Sequence, residues 1–162
     1  MQMEEPVVLY KLRPIEPIIF HVDRRTITMI GRLHDLFMNA GLDIIPTNQL
    51  QPIQLDIRAL VLRKLIDWCN HHKFDAPYDE DAPETDELSA WDTNFFMVRH
   101  SLLFDLMRAA RNFQVPAMFA MCCLVISRNP REIYAGILED VDDHENEARA
   151  IQRIQALSVA AA

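Results

Sequence analysis

Three residues that could bind a metal or transfer protons stand close together at Cys69, His71 and His72. A zinc site requires three or four ligands that converge tetrahedrally, whereas adjacent residues on a helix point about 100° apart. No second pair of Cys or His follows at the spacing of a zinc finger. We therefore expect no bound metal, and we interpret Cys69 as a buried thiol and the two histidines as polar residues at a helix end.

The other reactive side chains form no catalytic pattern. Cys122 and Cys123 are adjacent, which is too close for an ordinary disulfide, and the chain has no Cys-x-x-Cys motif. Gly-x-Ser-x-Gly, His-Glu-x-x-His and Gly-rich phosphate-binding motifs are absent as well. Residues 74–90 hold seven acids but lack the spacing and the glycine of a calcium loop, so we predict a solvated loop there. The sequence predicts no enzyme, no cofactor and no small-molecule substrate.

The candidate cluster lies at the end of a strongly apolar segment. Two neighbouring rows of apolar residues recur there at intervals of three and four, which predicts a helix at the centre of a globular core. Asp56 is placed to cap the start of this helix, because a carboxylate can accept its unpaired N–H groups. The rows are Ile57, Val61, Leu65 and Trp68, and beside them Leu62, Ile66 and Cys69.

The elements around this helix predict an α+β domain. Short β-favouring runs come first, and a bend at Pro14-Ile15-Glu16-Pro17 predicts a hairpin between the first two. Helices dominate afterwards, and strands that cluster in the first third are typical of α+β rather than doubly wound folds. The predicted strands are 7–12, 18–22 and 53–55, and the predicted helices before and after the central one are 26–37, 92–96, 102–113 and one that begins near Pro116.

Several residues are predicted to begin the later helices. Asp92 and Ser101 are candidate N-caps, and Pro116 suits a first turn, where its missing N–H costs nothing. The run 129–132, Asn-Pro-Arg-Glu, has the form of a capping box before a narrow apolar stripe, and Asp142 or Asp143 would begin a last helix. Such late stripes either complete the core or form a groove for a partner's helix.

Composition excludes several classes of partner. The 162 residues carry a formal charge of −8, which argues against binding to a phosphate backbone. The longest apolar run, 117–126, is about half the roughly 20 residues that a membrane span needs. The chain shows no signal peptide, and its three cysteines form no disulfide framework, so we expect reduced thiols and a location in the cytoplasm and nucleus. We expect neither nucleic acid nor a membrane as partner.

Several motifs together resemble the Skp adaptor family, the F-box-binding subunits of Skp–cullin–F-box ubiquitin ligases. The Trp-Cys-x-His-His-Lys run at 68–73 is followed by an acidic, proline-containing loop and then by Trp91-Asp92. Leu-Phe-Asp-Leu at 103–106 and the Ala-Ala pair at 109–110 are similar to further family motifs. The Pro-x-Glu-Ile start at 130–133 matches as well, so the resemblance extends over most of the chain.

The resemblance implies a fold and two binding surfaces. The fold would be a BTB/POZ domain over residues 1–128, including the acidic loop 74–90, with a Skp-type helical extension over 129–162 that shares the same core. The chain would be a non-catalytic adaptor that links F-box proteins to a cullin for protein ubiquitination and degradation. The implied F-box-binding residues are Phe119, Cys123, Ile126, Ile133 and Ile137, and the implied cullin-binding residues are Phe104, Arg111 and Asn112.

The chain departs from the family pattern at these surfaces. Arg111-Asn112 stands where the family usually has Asn-Tyr after the Ala-Ala pair, so an aromatic residue is lost and a cation is added. The helix before Asn129 is shorter, and the chain ends without the Trp of the family's last helix. These changes leave open an alternative function, a BTB/POZ interaction or self-association scaffold that has lost cullin recruitment.

Overall fold

The protein combines a small sheet with a set of packed helices, as a computed structural model shows for residues 9–41, 50–82 and 87–128. This arrangement confirms the predicted α+β class. In chain order the elements are β1 (Leu9–Arg13), β2 (Phe20–Asp23), α1 (Arg24–Met29), α2 (Gly31–Asn39), β3 (Ile53–Gln54), α3 (Ala59–His72), α4 (Ala90–Phe95), α5 (His100–Asn112) and α6 (Pro116–Arg128). No helix in these described ranges has the length and apolar character that crossing a membrane requires.

The sheet has the strand order β2-β1-β3. β1 and β2 form the predicted antiparallel hairpin, in which Leu12 lies opposite Phe20. β3 runs parallel to β1 and places Ile53 opposite Leu12. The residues between β1 and β2 include Pro14 and Pro17, whose fixed φ angles favour the bend. β3 confirms the third strand predicted at 53–55, although Leu55 lies outside it.

The single helix predicted over 26–37 is wrong, because the chain forms two helices that meet at Ile30. Ile30 has an extended backbone, with φ −101° and ψ 92°. The next two N–H groups leave the helical pattern, since Gly31 donates to the carbonyl of Gln114 and Arg32 donates to the carbonyl of Phe113. Periodicity along the sequence could not reveal this break because the acceptors come from a distant turn.

Helix α3 is the central helix of the fold, but Asp56 does not cap it. The helix begins at Ala59, and its first N–H donates to Glu16 Oε2 over 2.6 Å. Glu16 belongs to the proline-rich bend of the hairpin, so the bend both reverses the chain and satisfies the helix start. Asp56 is exposed two residues before the N-cap. A cap supplied from a distant bend has no local sequence signal.

The core forms around α3. Trp68 and Cys69 are buried, as predicted, and Leu62 and Leu65 are completely buried. α3 packs against α1 and α5, and α5 packs against α6. These contacts place α5 between the central helix and α6, so α5 and α6 form one side of the domain.

Three predicted starts of later helices lie in the described residues, and two of them are wrong. Ser89 caps α4, since its Oγ accepts from the N–H of Asp92 over 3.0 Å, and Asp92 lies inside the first turn. α5 begins at His100 after the N-cap Arg99, two residues before the position implied by a Ser101 cap. Pro116 is the first residue of α6, as predicted.

The acidic loop is described in part. Residues 74–82 are all exposed, which agrees with a solvated segment. Several predictions lie outside the described residues, namely the capping box at 129–132, the stripe of Ile133, Tyr134, Ile137 and Leu138, and the helix expected from Asp142 or Asp143.

Candidate protein-binding site

The buried carboxylate of Asp92 joins the two halves of the Trp-Cys-x-His-His-Lys and Trp-Asp pattern. Its Oδ1 accepts from Trp68 Nε1 over 3.1 Å and lies 2.8 Å from His72 Nε2. Its Oδ2 accepts from Ser89 Oγ over 2.8 Å. Asp92 is only 2% exposed, so its carboxylate has lost its contacts with water, and these hydrogen bonds replace them. The network ties the end of α3 to the start of α4.

Both ring nitrogens of His72 face carboxylates. Nδ1 lies 2.5 Å from Asp75 Oδ2, and Nε2 contacts Asp92. Burial lowers the pKa of His72, but the hydrogen bonds and charges of Asp75 and Asp92 outweigh it and raise the pKa above its ordinary 6.5. When the ring is protonated it donates from both nitrogens and has no free lone pair, so in that state it cannot act as a general base.

The neighbouring His71 has a different role. Its ring stacks on Trp91 with centroids 3.7 Å apart and planes within 2°. Trp91 in turn stacks on Phe95, 5.2 Å away. Adjacent histidines therefore serve two separate contacts between α3 and α4. Within the described ranges, no group of three His, Cys, Asp or Glu side chains could hold a metal ion.

Two of the three thiols are buried and resist ionisation. Burial raises the pKa of Cys69 to about 12. Burial, reinforced by the neighbouring Cys123, also raises the pKa of Cys122 to about 12. Since the thiolate is the reactive form, neither residue suits nucleophilic or redox chemistry near neutral pH. Cys123 is exposed.

One side of α6 carries the three described residues that the family resemblance assigned to F-box binding. We call Phe119, Cys123 and Ile126 the α6 face. Their spacing of four and three places them on one side of the helix. Cys123 is exposed, whereas Phe119 and Ile126 are half-buried against the core. The buried row of the same helix, Met118 and Cys122, lies beside this face and anchors it. Ile133 and Ile137 lie outside the described residues.

The outer surface of α5 carries the residues assigned to cullin binding. Phe104 is half-buried and Arg111 is exposed, and their separation of seven residues sets them about two turns, roughly 10 Å, apart on one side. Asn112 is exposed at the last position of α5, on the flank of that side. Asp105, the neighbour of Phe104, forms an ion pair with Arg58 that links α5 to the start of α3. The structure thus brings Phe104 and Arg111 onto one surface, with Asn112 at its edge.

A tight turn connects the α5 surface to the α6 face. Val115 N–H donates to Ala110 O over 2.8 Å, and Gln114 N–H donates to Arg111 O over 3.4 Å. Gln114 has a positive φ of 60°. This pair of bonds around a left-handed residue is the Schellman ending of a helix, in which glycine usually occupies the left-handed position. Because position 114 is not a glycine, no local sequence signal points to the motif.

Ser89 is another structural residue that sequence reasoning missed, although a signal was present. Ser89-x-x-Asp92 has the form of a capping box with Asp in place of Glu. The structure shows the first half of it, in which the N–H of Asp92 donates to Ser89 Oγ. The return bond differs from a capping box, because Asp92 Oδ2 accepts from the Ser89 hydroxyl rather than from the backbone N–H of Ser89.

Comparison with curated proteins identifies several relatives. The "Skp1-related protein" of Caenorhabditis elegans is 31% identical over 125 residues, which cover 71% of each chain. The "E3 ubiquitin ligase complex SCF subunit sconC" of Arthroderma benhamiae is 31% identical over 94 residues, 51% of this chain and 57% of that protein. Its counterpart in Arthroderma otae is 30% identical over 108 residues, 60% of this chain and 65% of that protein.

The match therefore spans most of the worm protein and less than two thirds of the two fungal proteins. No family model matches the chain. The identity to the worm protein extends over the greater part of both sequences, and the residues that carry the family pattern form the buried Trp68–His72–Asp92 network. On this evidence the chain is a divergent member of the Skp family.

Proposed function

We propose that the chain is a non-catalytic adaptor of a Skp–cullin–F-box ubiquitin ligase, linking F-box proteins to a cullin for protein ubiquitination. The observation that carries this proposal is the separation of two surfaces on neighbouring helices of a Skp-family chain. The α6 face is apolar, and the α5 surface presents an aromatic residue and polar groups. An adaptor needs two such surfaces, because its partners must bind at the same time.

The F-box protein is proposed to pack against the α6 face. Apolar side chains at helical spacing suit a partner that inserts its own apolar side chains into a groove. Phe119 supplies the largest apolar area, and aromatic anchors often dominate such interfaces. Cys123 is a soft, small side chain at the exposed centre of the face. Ile133 and Ile137 are proposed to extend the same interface.

The cullin is proposed to contact Phe104 and the end of α5. Arg111 and Asn112 are both exposed, so they are available to a partner. The family usually has Asn-Tyr at these two positions, and loss of an aromatic contact weakens an interface by about 2 kcal/mol when it is central. We therefore propose weak cullin binding that improves when Arg111→Asn and Asn112→Tyr are combined.

The adaptor role requires no catalytic group in this chain. His72 is occupied at both nitrogens, and Cys69 and Cys122 are protonated near neutral pH. These observations support a binding function over acid–base or nucleophilic chemistry. We further propose a BTB/POZ fold for residues 1–128 with a helical extension over 129–162, and action in the cytoplasm and nucleus.

The proposal is tested by co-purification with variants of each surface. Cys123→Glu places a charge at the exposed position of the α6 face, so it should abolish retention of an F-box segment while leaving retention of a cullin N-terminal segment unchanged. Arg108→Gln on α5 also lowers the charge by one unit, away from the α6 face, and the Arg108 side chain is 70% exposed. It should leave F-box retention intact. An F-box segment that elutes separately from the wild-type chain at micromolar concentration would refute the adaptor function.

The exposed cation Arg111 favours a second candidate function. If this cation prevents cullin binding, the chain would be a BTB/POZ interaction or self-association scaffold. Light scattering separates the two candidates. The adaptor should be monomeric or should exchange its self-contacts for an F-box segment, whereas the scaffold should remain an oligomer when that segment is added.

A further inference from the structure

The start of α2 is bound to the turn between α5 and α6. The first two N–H groups of a helix have no partner within the helix. In α2 these groups belong to Gly31 and Arg32, which donate to Gln114 O over 3.0 Å and to Phe113 O over 3.1 Å. The guanidinium of Arg32 also lies over the ring of Phe113, 5.3 Å from its centroid. The α5–α6 turn therefore caps α2, and the same bonds hold the turn against α2.

The close approach depends on the absence of a side chain at position 31. A Cβ atom there would lie 3.0 Å from Gln114 O, 3.1 Å from Gln114 Cβ and 3.3 Å from Gln114 Oε1. The first of these neighbours is backbone, so a methyl group could be accommodated only by displacement of the turn. Gly41 provides a contrast, because a Cβ atom at that position would have no neighbour within 4 Å.

The turn is also bound to the end of α5. The two Schellman bonds join it to Ala110 and Arg111 of α5, and Gln114 adopts a left-handed backbone that costs a residue with a side chain about 1–2 kcal/mol. A strained conformation of this kind persists only when surrounding contacts determine it. The contacts here are the two Schellman bonds to α5 and the two bonds from α2. A shift of the turn would move Arg111 and Asn112 because they lie directly before it.

From this geometry we propose that Gly31 and Gln114 are positioning residues for the cullin-binding end of α5, acting through the bond between α2 and the α5–α6 turn. This inference rests on the proposed cullin contact at Arg111 and Asn112. Neither positioning residue needs to touch the cullin. The start of α2 sets where the end of α5 points, and so it sets how well that end fits a partner.

The first test measures cullin affinity. Gly31→Ala should weaken binding of a cullin N-terminal segment roughly fivefold, in the range seen for residues that act through a neighbour. Binding of an F-box segment to the α6 face should stay within about twofold. Adding Gln114→Gly removes the Cβ and Oε1 atoms that crowd the new methyl group but leaves the backbone Gln114 O in place, so the double variant should recover only part of the lost cullin affinity.

Gly41→Ala is the matched control. Gly41 has a φ of +66°, so alanine strains the end of α2 without touching the turn. This variant should lower the melting temperature but leave cullin affinity unchanged. If Gly41→Ala weakens cullin binding as much as Gly31→Ala does, or if Gln114→Gly restores nothing, the effect is general destabilisation and the inference is overturned.

A second test needs no partner. Hydrogen exchange of the Gln114 and Val115 amides should accelerate roughly tenfold in Gly31→Ala and remain unchanged in Gly41→Ala. If the wild-type chain binds an F-box segment but no cullin, the cullin part of the proposed function fails, and exchange alone decides whether α2 holds the turn. Equal exchange in wild type and Gly31→Ala would overturn the inference whatever the cullin result.

Discussion

The indole Nε1 of Trp68 donates a hydrogen bond to Oδ1 of Asp92, 24 positions later in the chain, over 3.1 Å. The same oxygen faces His72 Nε2 at 2.8 Å. These bonds explain why the Trp-Cys-x-His-His-Lys run and the later Trp-Asp pair belong together. They are two parts of one buried polar network, to which the acidic loop between them contributes Asp75 and Ser89.

We predict that Asp92→Ala destabilises the protein by about 3 kcal/mol, because it leaves the Trp68 N–H and the buried His72 ring without the carboxylate that both contact. Asp67→Ala is the matched control. Asp67 pairs with Arg63 on the surface of α3, and both side chains are 46% exposed, so its removal should change stability by less than about 0.5 kcal/mol. Urea denaturation gives both values. Equal losses in the two variants would contradict a structural role for the Asp92 network.

The raised pKa of His72 predicts that its contribution to stability falls with increasing pH. The folded state binds the proton more tightly than the unfolded state does, so the stabilisation is complete below the ordinary pKa of 6.5 and is lost as pH rises through the raised value. The difference in unfolding free energy between wild type and His72→Gln should therefore shrink as the pH rises above 6.5. Denaturation curves over that range measure it, and a difference independent of pH would contradict the ion-pair arrangement.

Glu16 is predicted to stabilise α3 from outside the helix. Glu16→Gln removes the charge that faces the Ala59 N–H, and Glu16→Ala removes the acceptor as well, so the losses should be about 0.5 and 1 kcal/mol. Asp56→Ala tests the cap that local sequence favours, and it should have almost no effect since Asp56 is exposed and does not cap α3. Thermal or chemical denaturation decides between them, and a larger loss for Asp56→Ala would reverse the assignment.

The features that the sequence predicted correctly are those that nearby residues determine. The apolar rows of α3, the burial of Trp68 and Cys69, the hairpin and the Pro116 start of α6 all depend on neighbours within a few residues. The break at Ile30 and the Glu16 cap could not be predicted, because each is created by a contact with a distant segment. Long-range backbone acceptors leave no local pattern.

The candidate site was predictable only through family resemblance. Apolar spacing along α6 could have meant core or interface, and the structure shows a buried row and an exposed row on one helix, with Cys122 buried and Cys123 exposed. The family resemblance implied which row of α6 would meet a partner, but it could not show that Gly31 lies against Gln114. That relationship follows from packing between α2 and the α5–α6 turn.

The thiols are predicted to differ sharply in reactivity. At pH 8, iodoacetamide should modify Cys123 readily in the native protein, whereas Cys69 and Cys122, with pKa values of about 12, should react only after unfolding. Peptide mapping by tandem mass spectrometry distinguishes the adjacent Cys122 and Cys123. Equal modification of all three in the native state would show that the core described around α3 and α6 is wrong.

The most direct measurement of the adaptor claim is the alkylation rate of Cys123 in the presence and absence of an F-box segment. If the segment packs on the α6 face, it covers the thiol, and the rate should fall at least about tenfold at saturating concentration. Addition of a cullin N-terminal segment, which is proposed to bind the α5 surface, should leave the rate unchanged. An alkylation rate of Cys123 that is the same with and without tens of micromolar F-box segment would contradict the account.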